Sequence, residues 1–411
     1  MTAKENLLIL CGAEEAVPGI QVAKSMGLNT IVVDGNPDCP GRLVADEFIQ
    51  ASIYHPSEVV SAVESFSENI KINGVITVAA DNPASVAAVS NYLDLPSLSL
   101  HTANLATHKL EMKKALSAAG LPTPWFIGIN SLKQLEKIIS DRPALYVLKP
   151  VDSRGSRGVI RLSKVEECPE AFEYSSQYSM TDELILEEWM EGEQLSSESI
   201  VSQCESYLCG LADRNYSRLS DLYPFVVEDG GETPSRFSSI EMEKSINNLM
   251  NSVCKVIGLE NGSIKGDLVL SNGKLYIIEF AVRLSGGSFS TVTIPLVYEY
   301  NLVKNVIQMA LGRSPTLPPI PLINNRYQCN RFFFIPAGKI RSINQTPVSN
   351  DGIIDFQLFV KPGDVTGDIR NHTMRAGSVL TAAATRDEAV DLANSVINSV
   401  NFEIDNYASM G

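Results

Sequence analysis

Three short apolar runs near the start of the chain, each too brief for a helix and each followed by a polar or helix-length stretch, restrict this region to a parallel α/β layer. Residues 7–11 read as a buried strand, 19–26 as a helix and 30–34 as a second strand, which is a βαβ opening. Residues 74–79, Gly74-Val75-Ile76-Thr77-Val78-Ala79, form another parallel-type strand, followed by a helical stretch at 84–92. A doubly wound layer invites a dinucleotide, and Asp34 ends the second strand at about the right distance from the first turn. That turn, however, lacks G-x-G-x-x-G and places Glu14 and Glu15 where a pyrophosphate would sit. A nicotinamide dinucleotide is therefore not expected.

With 411 residues the chain exceeds one simple core, and its punctuation suggests where it divides. Thr102 can cap a helix running to about Ala119, ended by Gly120-Leu121-Pro122-Thr123-Pro124. Strands at 144–149, 158–162 and 184–188 then make a small α+β lobe around a glycine-containing loop. A helix at 240–257 precedes strands at 266–270 and 274–280, and Pro315, Pro318, Pro319 and Pro321 mark a linker before a β-rich module closed by a helix at 386–400. The expected division is 1–101, 102–314 (small lobe about 122–190) and 315–411.

Composition excludes several function classes. Forty-eight acidic against 33 basic residues give a net charge of -15, which repels nucleic acid and anionic membranes. Seven scattered cysteines, no signal-type apolar core at the start and no apolar run near ~20 residues point to a reduced, cytoplasmic protein. Four histidines never pair at metal spacing, so zinc is not expected.

Three segments can carry chemistry. In Lys149-Pro150-Val151-Asp152-Ser153-Arg154-Gly155-Ser156-Arg157-Gly158, a lysine ending an apolar strand meets a flexible loop. Its glycines let backbone N–H groups approach an anion, and Lys149, Arg154 and Arg157 add positive charge. A solvated basic hairpin would read the same way. The stretch Leu184-Ile185-Leu186-Glu187-Glu188-Trp189-Met190 could offer backbone groups and apolar surface to adenine, or be an ordinary strand with a charged exit. Asp267 and Glu279, on adjacent strands with Arg283 following, could hold magnesium and an acyl phosphate, or form surface ion pairs. Neither a G-x-S-x-G hydrolase motif nor the H-R-D and D-F-G kinase signatures occurs.

Taken in order, Lys109, Lys149 with its loop, Glu187-Glu188, Asp267, Glu279 and Arg283 resemble the ATP-grasp superfamily, most of all its carboxylate–amine ligases and carbamoyl-phosphate-synthase-like members. The resemblance implies a Rossmann-like N-terminal domain, a central nucleotide site between two α+β lobes, and a small β-rich C-terminal domain. It makes Lys109 and Lys149 phosphate lysines and Gly155, Ser156 and Gly158 the flap over the phosphates. It implies that the run Glu187-Glu188-Trp189-Met190 meets adenine, through the backbone of Glu188 and Met190. The ribose glutamate falls on Gln194, with Glu193 beside it. Asp267 and Glu279 become metal ligands, although the family's metal-binding Asn is replaced by Ala281.

The activity implied is ATP- and magnesium-dependent, with manganese able to substitute. A small-molecule carboxylate is activated as an acyl phosphate and coupled to an amine, releasing ADP and phosphate. Arg283, with backbone at Gly286 and Gly287, would neutralise the reacting oxygen, and Glu228 could take an ammonium group or lie in an exposed acidic turn. Two other readings remain: a formyltransferase of nucleotide biosynthesis working through formyl phosphate, and an ATP-binding protein without turnover, which Ala281 motivates. A homodimer fits the family.

The metal pair depends on the turn Ser271-Asn272-Gly273. A plain two-residue turn would set Asp267 opposite Ile278 and turn Glu279 to the other face. The expectation is therefore a three-residue loop with a left-handed Gly273, pairing Leu270 with Lys274 and leaving Asp267 and Glu279 diagonal on one face.

Overall fold

The computed structural model describes residues 4–68, 70–348 and 351–405. Strands β1 (Asn6–Leu10), β2 (Asn29–Asp34), β3 (Glu47–Gln50) and β4 (Gly74–Ile76) form a parallel sheet in the order β3-β2-β1-β4. Leu7, Leu8, Ile9 and Leu10 are fully buried, as a sheet covered by helices on its faces requires. Asp34 does not face a ribose, because its Oδ2 accepts the Gly12 N–H at 2.8 Å and holds the first turn closed.

The helix expected at 102–119 is two helices, Leu100–Thr107 and Lys109–Ala118. Ser99, not Thr102, caps the first, and Thr102 is buried with its hydroxyl donating to Ile257 O at 2.7 Å. His108, at φ -115° and ψ 97°, breaks the run and caps the second helix. The break places Lys109 at a helix start, with its N–H on Val151 O at 2.8 Å.

Strands β5 (Phe126–Ile129), β6 (Tyr146–Pro150), β7 (Ile160–Leu162) and β8 (Leu184–Glu188) make a small antiparallel sheet, β5-β8-β6-β7, backed by helices Leu132–Asp141 and Cys168–Ser176. Next come β9 (Glu193–Ser202), β10 (Glu205–Asn215), β11 (Gly230–Thr233), β12 (Gly262–Ser271) and β13 (Lys274–Ala281). The last third adds β14 (Tyr327–Phe333), β15 (Gly338–Gln345), β16 (Ile353–Leu358), β17 (Val365–Thr366), β18 (Gly377–Ala383) and β19 (Val400–Asp405). One eight-stranded sheet, β13-β12-β9-β10-β11-β14-β18-β16, runs through both regions, and β17-β15-β19 forms a separate three-stranded sheet.

Helix Ile240–Ile257 packs Ile246, Met250 and Val253 on the eight-stranded sheet. Ser239 caps its start, and Gly258, at φ 69°, ends it in the left-handed conformation that glycine adopts without strain. Among the described residues no helix is long and apolar enough to cross a membrane.

The β12–β13 turn departs from expectation. Ser271 pairs with Lys274 across a two-residue turn, with Asn272 at φ 49° and Gly273 at φ 76°, as the Asn-Gly dipeptide favours. A bulge further along β13 makes up the missing residue: Leu268 pairs with Ile277 and Asp267 with Glu279, leaving Ile278 extra. Asp267 and Glu279 thus stand directly opposite, not diagonal, and both face the same cavity while Ile277 and Phe280 enter the core.

Candidate active site

A cavity of about 590 Å³ lies where the small sheet, the eight-stranded sheet, the carboxyl end of the parallel sheet and the C-terminal residues 372–375 meet. Its size suits a small-molecule site. Every site residue singled out in the sequence lines it except Gly158.

Its small-sheet wall is built on a buried ion cluster. Lys149 leaves the end of β6 and places Nζ 2.9 Å from Oε1 of Glu187 on the neighbouring β8. Lys113, one helical turn past Lys109, reaches the other oxygen at 3.4 Å and donates to Thr123 Oγ1 and Ile277 O. Burial alone would raise the Glu187 pKa, but the two lysines outweigh it and hold it below the usual range. Burial pushes Lys113 down to about 8. Glu187 therefore serves as an interior counterion, pointing away from an adenine role. Glu188 gives its N–H to Trp125 O and its carboxylate to Arg142, and both Glu188 and Met190 line the cavity. Further on, strand alternation turns Gln194 into the cavity and Glu193 out to Arg236.

The loop after β6 forms the roof. Gly155, Ser156 and Gly158 have φ of 64°, 57° and 74°. Gly158 is a packing position: a Cβ there would meet Pro150 Cγ at 2.7 Å, and its carbonyl accepts from Ser175. Gly155 O accepts the His372 N–H at 3.1 Å, and Ser156 Oγ sits 3.2 Å from His372 Nε2. The same nitrogen lies 3.2 Å from the Glu228 N–H, so it is the acceptor of a neutral ring. Burial pushes the His372 pKa down to about 3. No local pattern around residue 372 reveals that it clasps a loop more than two hundred positions earlier.

Opposite the lysines stands the carboxylate pair. Glu279 lies 3.3 Å from Lys109 Nζ, which also donates to Ser153 O at 2.5 Å. Asp267 contacts Lys265 at 2.8 Å and Arg214 at 3.0 Å. Burial works against ionisation of Asp267, yet these cations hold its pKa far below the usual range. Arg214 also takes Glu228 through two nitrogens, at 2.9 and 2.7 Å, so that carboxylate is already neutralised. Arg283 pairs with Asp81 at 2.7 Å. The Gly287 N–H points at Glu15 Oε1, 3.2 Å away, while Gly286 packs against the same carboxylate. Asp81, Arg214, His372 and Arg375 were not found from sequence because distant segments bring them in, and Lys113 and Lys265 were missed although they stand one helical turn from Lys109 and two residues from Asp267 on the same strand.

The donor set fits magnesium. Two facing carboxylates give hard oxygen ligands, Ala281 gives none, and no group of three or more His, Cys, Asp or Glu among the described residues forms an all-protein cage. Magnesium is commonly held by one or two carboxylates, with phosphate and water completing its shell. Lys109, Lys149 and the loop residues Gly155 and Ser156 line the same cavity, with the positive charge and backbone donors that would suit a phosphate.

Residues 106–287 match the family model for the ATP-grasp domain, and residues 331–405 that for the L-amino acid ligase C-terminal domain 2. An uncharacterized protein of Sinorhizobium fredii, y4rH, is 19% identical over 409 residues, covering 95% of this chain and 81% of that protein. The fold is shared with the crystal structure of an L-amino acid ligase from Bacillus licheniformis, at TM-score 0.83 and 20% identity, over 99% of this chain and 100% of that one. It is shared also with a phosphoribosylglycinamide synthetase from Anaerococcus prevotii, at TM-score 0.73 and 20% identity, over 98% and 100% of the two chains.

Proposed function

We propose, starting from a chain that carries an ATP-grasp domain followed by an L-amino acid ligase C-terminal domain, that it joins a carboxylate to an amine at the expense of ATP. One observation carries this reading: a single cavity sets Lys109, Lys149 and the Gly155-Ser156 loop against the facing pair Asp267 and Glu279. The C-terminal match favours amino acids as substrates over formate or a nucleotide precursor.

In this reading a substrate carboxylate oxygen attacks the γ-phosphorus, the bridging P–O bond breaks, and ADP leaves an acyl phosphate behind. Lys109 and Lys149 offset the phosphate charge, and the roof loop excludes water that would hydrolyse the product. Asp267 and Glu279 would hold magnesium, or manganese in its place, which neutralises charge on the phosphates. An unprotonated amine then attacks the acyl carbon and phosphate departs. Arg283, kept charged by Asp81 against the effect of burial, would offer a planar donor to the oxyanion of that step. The Gly287 N–H can join it only if Glu15 releases it.

The test is phosphate release from ATP with a panel of carboxylates and amines that includes amino acids, formate and glycinamide nucleotide. Release should require a carboxylate and an amine together, and Lys149→Met should lower it about a hundredfold or more. Tight ATP binding without release on any mixture would instead support a regulatory protein, and release unaffected in Lys149→Met would remove the phosphate role of that lysine.

A further inference from the structure

After β4 the chain passes through residues 77–82 before helix Pro83–Tyr92 begins. Both ends of this loop are pinned to the last residue of β1. Thr77 Oγ1 and Asn82 Nδ2 each donate to Leu10 O at 2.9 Å, and both residues are buried. Between the two pins Ala79 has φ of 59°, the left-handed region, in which a residue with a side chain is strained. Strain of this kind persists only where the surroundings impose it.

The strained turn lays the loop along the segment that follows β13. Val78 forms a parallel bridge with Leu284, and the Ala79 N–H donates to Leu284 O at 3.2 Å. Two residues on, Asp81 Oδ1 accepts Arg283 Nε at 2.7 Å, while Arg283 Nη1 donates to Leu284 O at 3.3 Å. The guanidinium is thus gripped from two sides, and one grip comes from the N-terminal sheet. The main chain of the same residue meets the roof: Asp81 O accepts Arg154 Nη1 at 2.8 Å, and the Arg154 guanidinium lies 4.5 Å from the centroid of the Tyr54 ring. Burial works against ionisation of Asp81, yet Arg283, Arg154 and Lys109 hold its pKa below the usual range.

An ion pair across a seam could serve only to brace it. Here the seam is already braced by the Val78–Leu284 bridge and by Glu15 on the Gly287 N–H, and neither contact needs an anion on Arg283. What the carboxylate adds is restraint on a long side chain that lines the cavity. A donor that must meet charge developing on an oxygen is most effective when it is in place beforehand, and a small misplacement is costly.

We propose that Asp81 is a positioning residue for Arg283, fixing the plane of its guanidinium for the step in which the amine attacks the acyl phosphate. The inference rests on the ligase reading of the cavity. It gives the N-terminal sheet a part in the second half of the reaction, after ADP has formed.

The experiment uses the full chain with magnesium and reads the two half-reactions separately. Acyl phosphate formation is followed with ATP and the donor carboxylate alone, by scrambling of an isotope-labelled bridging oxygen of ATP into its β-phosphate. Amide formation is followed by phosphate release once the amine is added. In Asp81→Asn the scrambling should stay within about threefold of wild type and the KM for ATP within about twofold, while kcat for amide formation falls about tenfold or more. Asp81→Glu keeps the charge but moves it by one methylene. It should fall in the same sense, and it reports if Asp81→Asn does not fold. Adding Asp81→Asn to Arg283→Met should bring no further loss, because a residue that acts through Arg283 then has nothing to act on. Losses that add in the double variant overturn the proposal, as do equal losses in both half-reactions or unchanged amide formation in a folded variant. Wild-type protein that neither scrambles the label nor releases phosphate on any mixture sinks the ligase reading, and this inference with it.

Discussion

Glu198 has no exposed surface, and its Oε1 accepts the Ser285 N–H at 3.0 Å just behind the Arg283 loop. Burial raises its pKa to about 7, against the lowering effects of Ser285, Arg283 and Lys265. An acid whose folded pKa lies above its unfolded value, here 4.5, binds its proton more tightly when folded. Stability is then lost as pH rises from the lower value through the higher one. Glu198→Gln keeps an acceptor for Ser285 and removes that loss. It should change stability little near about pH 5 and raise it by about 3 kcal/mol near about pH 8, as read by urea unfolding at both values. An equal effect at both would show that Glu198 is ionised throughout. At this scale the sequence was informative where a residue acts alone on its own loop. Lys149 was legible as a cation at the end of an apolar strand, but its burial against Glu187 was not, because Lys113 completes that cluster from another helix. Lys149 therefore faces the interior as well as the cavity, and its substitutions must be judged with a melting curve beside the kinetics.

Among the elements, the roof loop depends on a partner that local pattern could not reveal. Residues 155 and 156 are held by His372, whose Nε2 stays an acceptor because the ring is neutral at any working pH. His372→Ala removes the side-chain contacts to Ser156 and Glu228 and leaves the backbone bond to Gly155. ATP should bind roughly three- to tenfold more weakly, the worth of about one to two lost hydrogen bonds, with little change in melting. Titration calorimetry would read this directly, and unchanged affinity would mean that the roof closes without its clasp. The helix Ile240–Ile257 was legible to the residue, since its cap, apolar face and terminal glycine agree. The hairpin β9–β10 was not read at all. Ser196, Ser197, Glu198 and Ser199 are buried, so the polar signature of a surface stretch hides an interior strand. In β13 the Asn-Gly rule was correct and the inference against it was not. The bulge at Ile278 restored the register, and a bulge leaves no local trace that distinguishes it from an ordinary apolar residue.

Across the whole molecule, the eight-stranded sheet joins strands from both sides of the proline-rich stretch, with β11 pairing β14 through Gly230–Thr233. Arg386, at the start of helix Arg386–Ser399, fastens that junction. Its side chain pairs with Asp213 on β10, reaches Glu232 on β11 at 2.8 Å, and donates to Pro234 O at 2.8 Å. The two carboxylates are only 6% and 7% exposed, whereas Arg386 is 25% exposed. Removing one partner of a buried pair costs about 3–5 kcal/mol, because the charge left behind stays out of water. Arg331 still holds Glu232, and the Ser235 hydroxyl and Arg236 N–H still serve Asp213, so Arg386→Met belongs at the low end, about 3 kcal/mol. Continuity of the sheet decides how that loss should look. If the strands beyond the prolines unfold with the rest, urea should give one transition shifted to a lower midpoint with an unchanged slope. A second transition, with ATP binding surviving the first, would instead show that the C-terminal region folds by itself and that the ion cluster merely docks it.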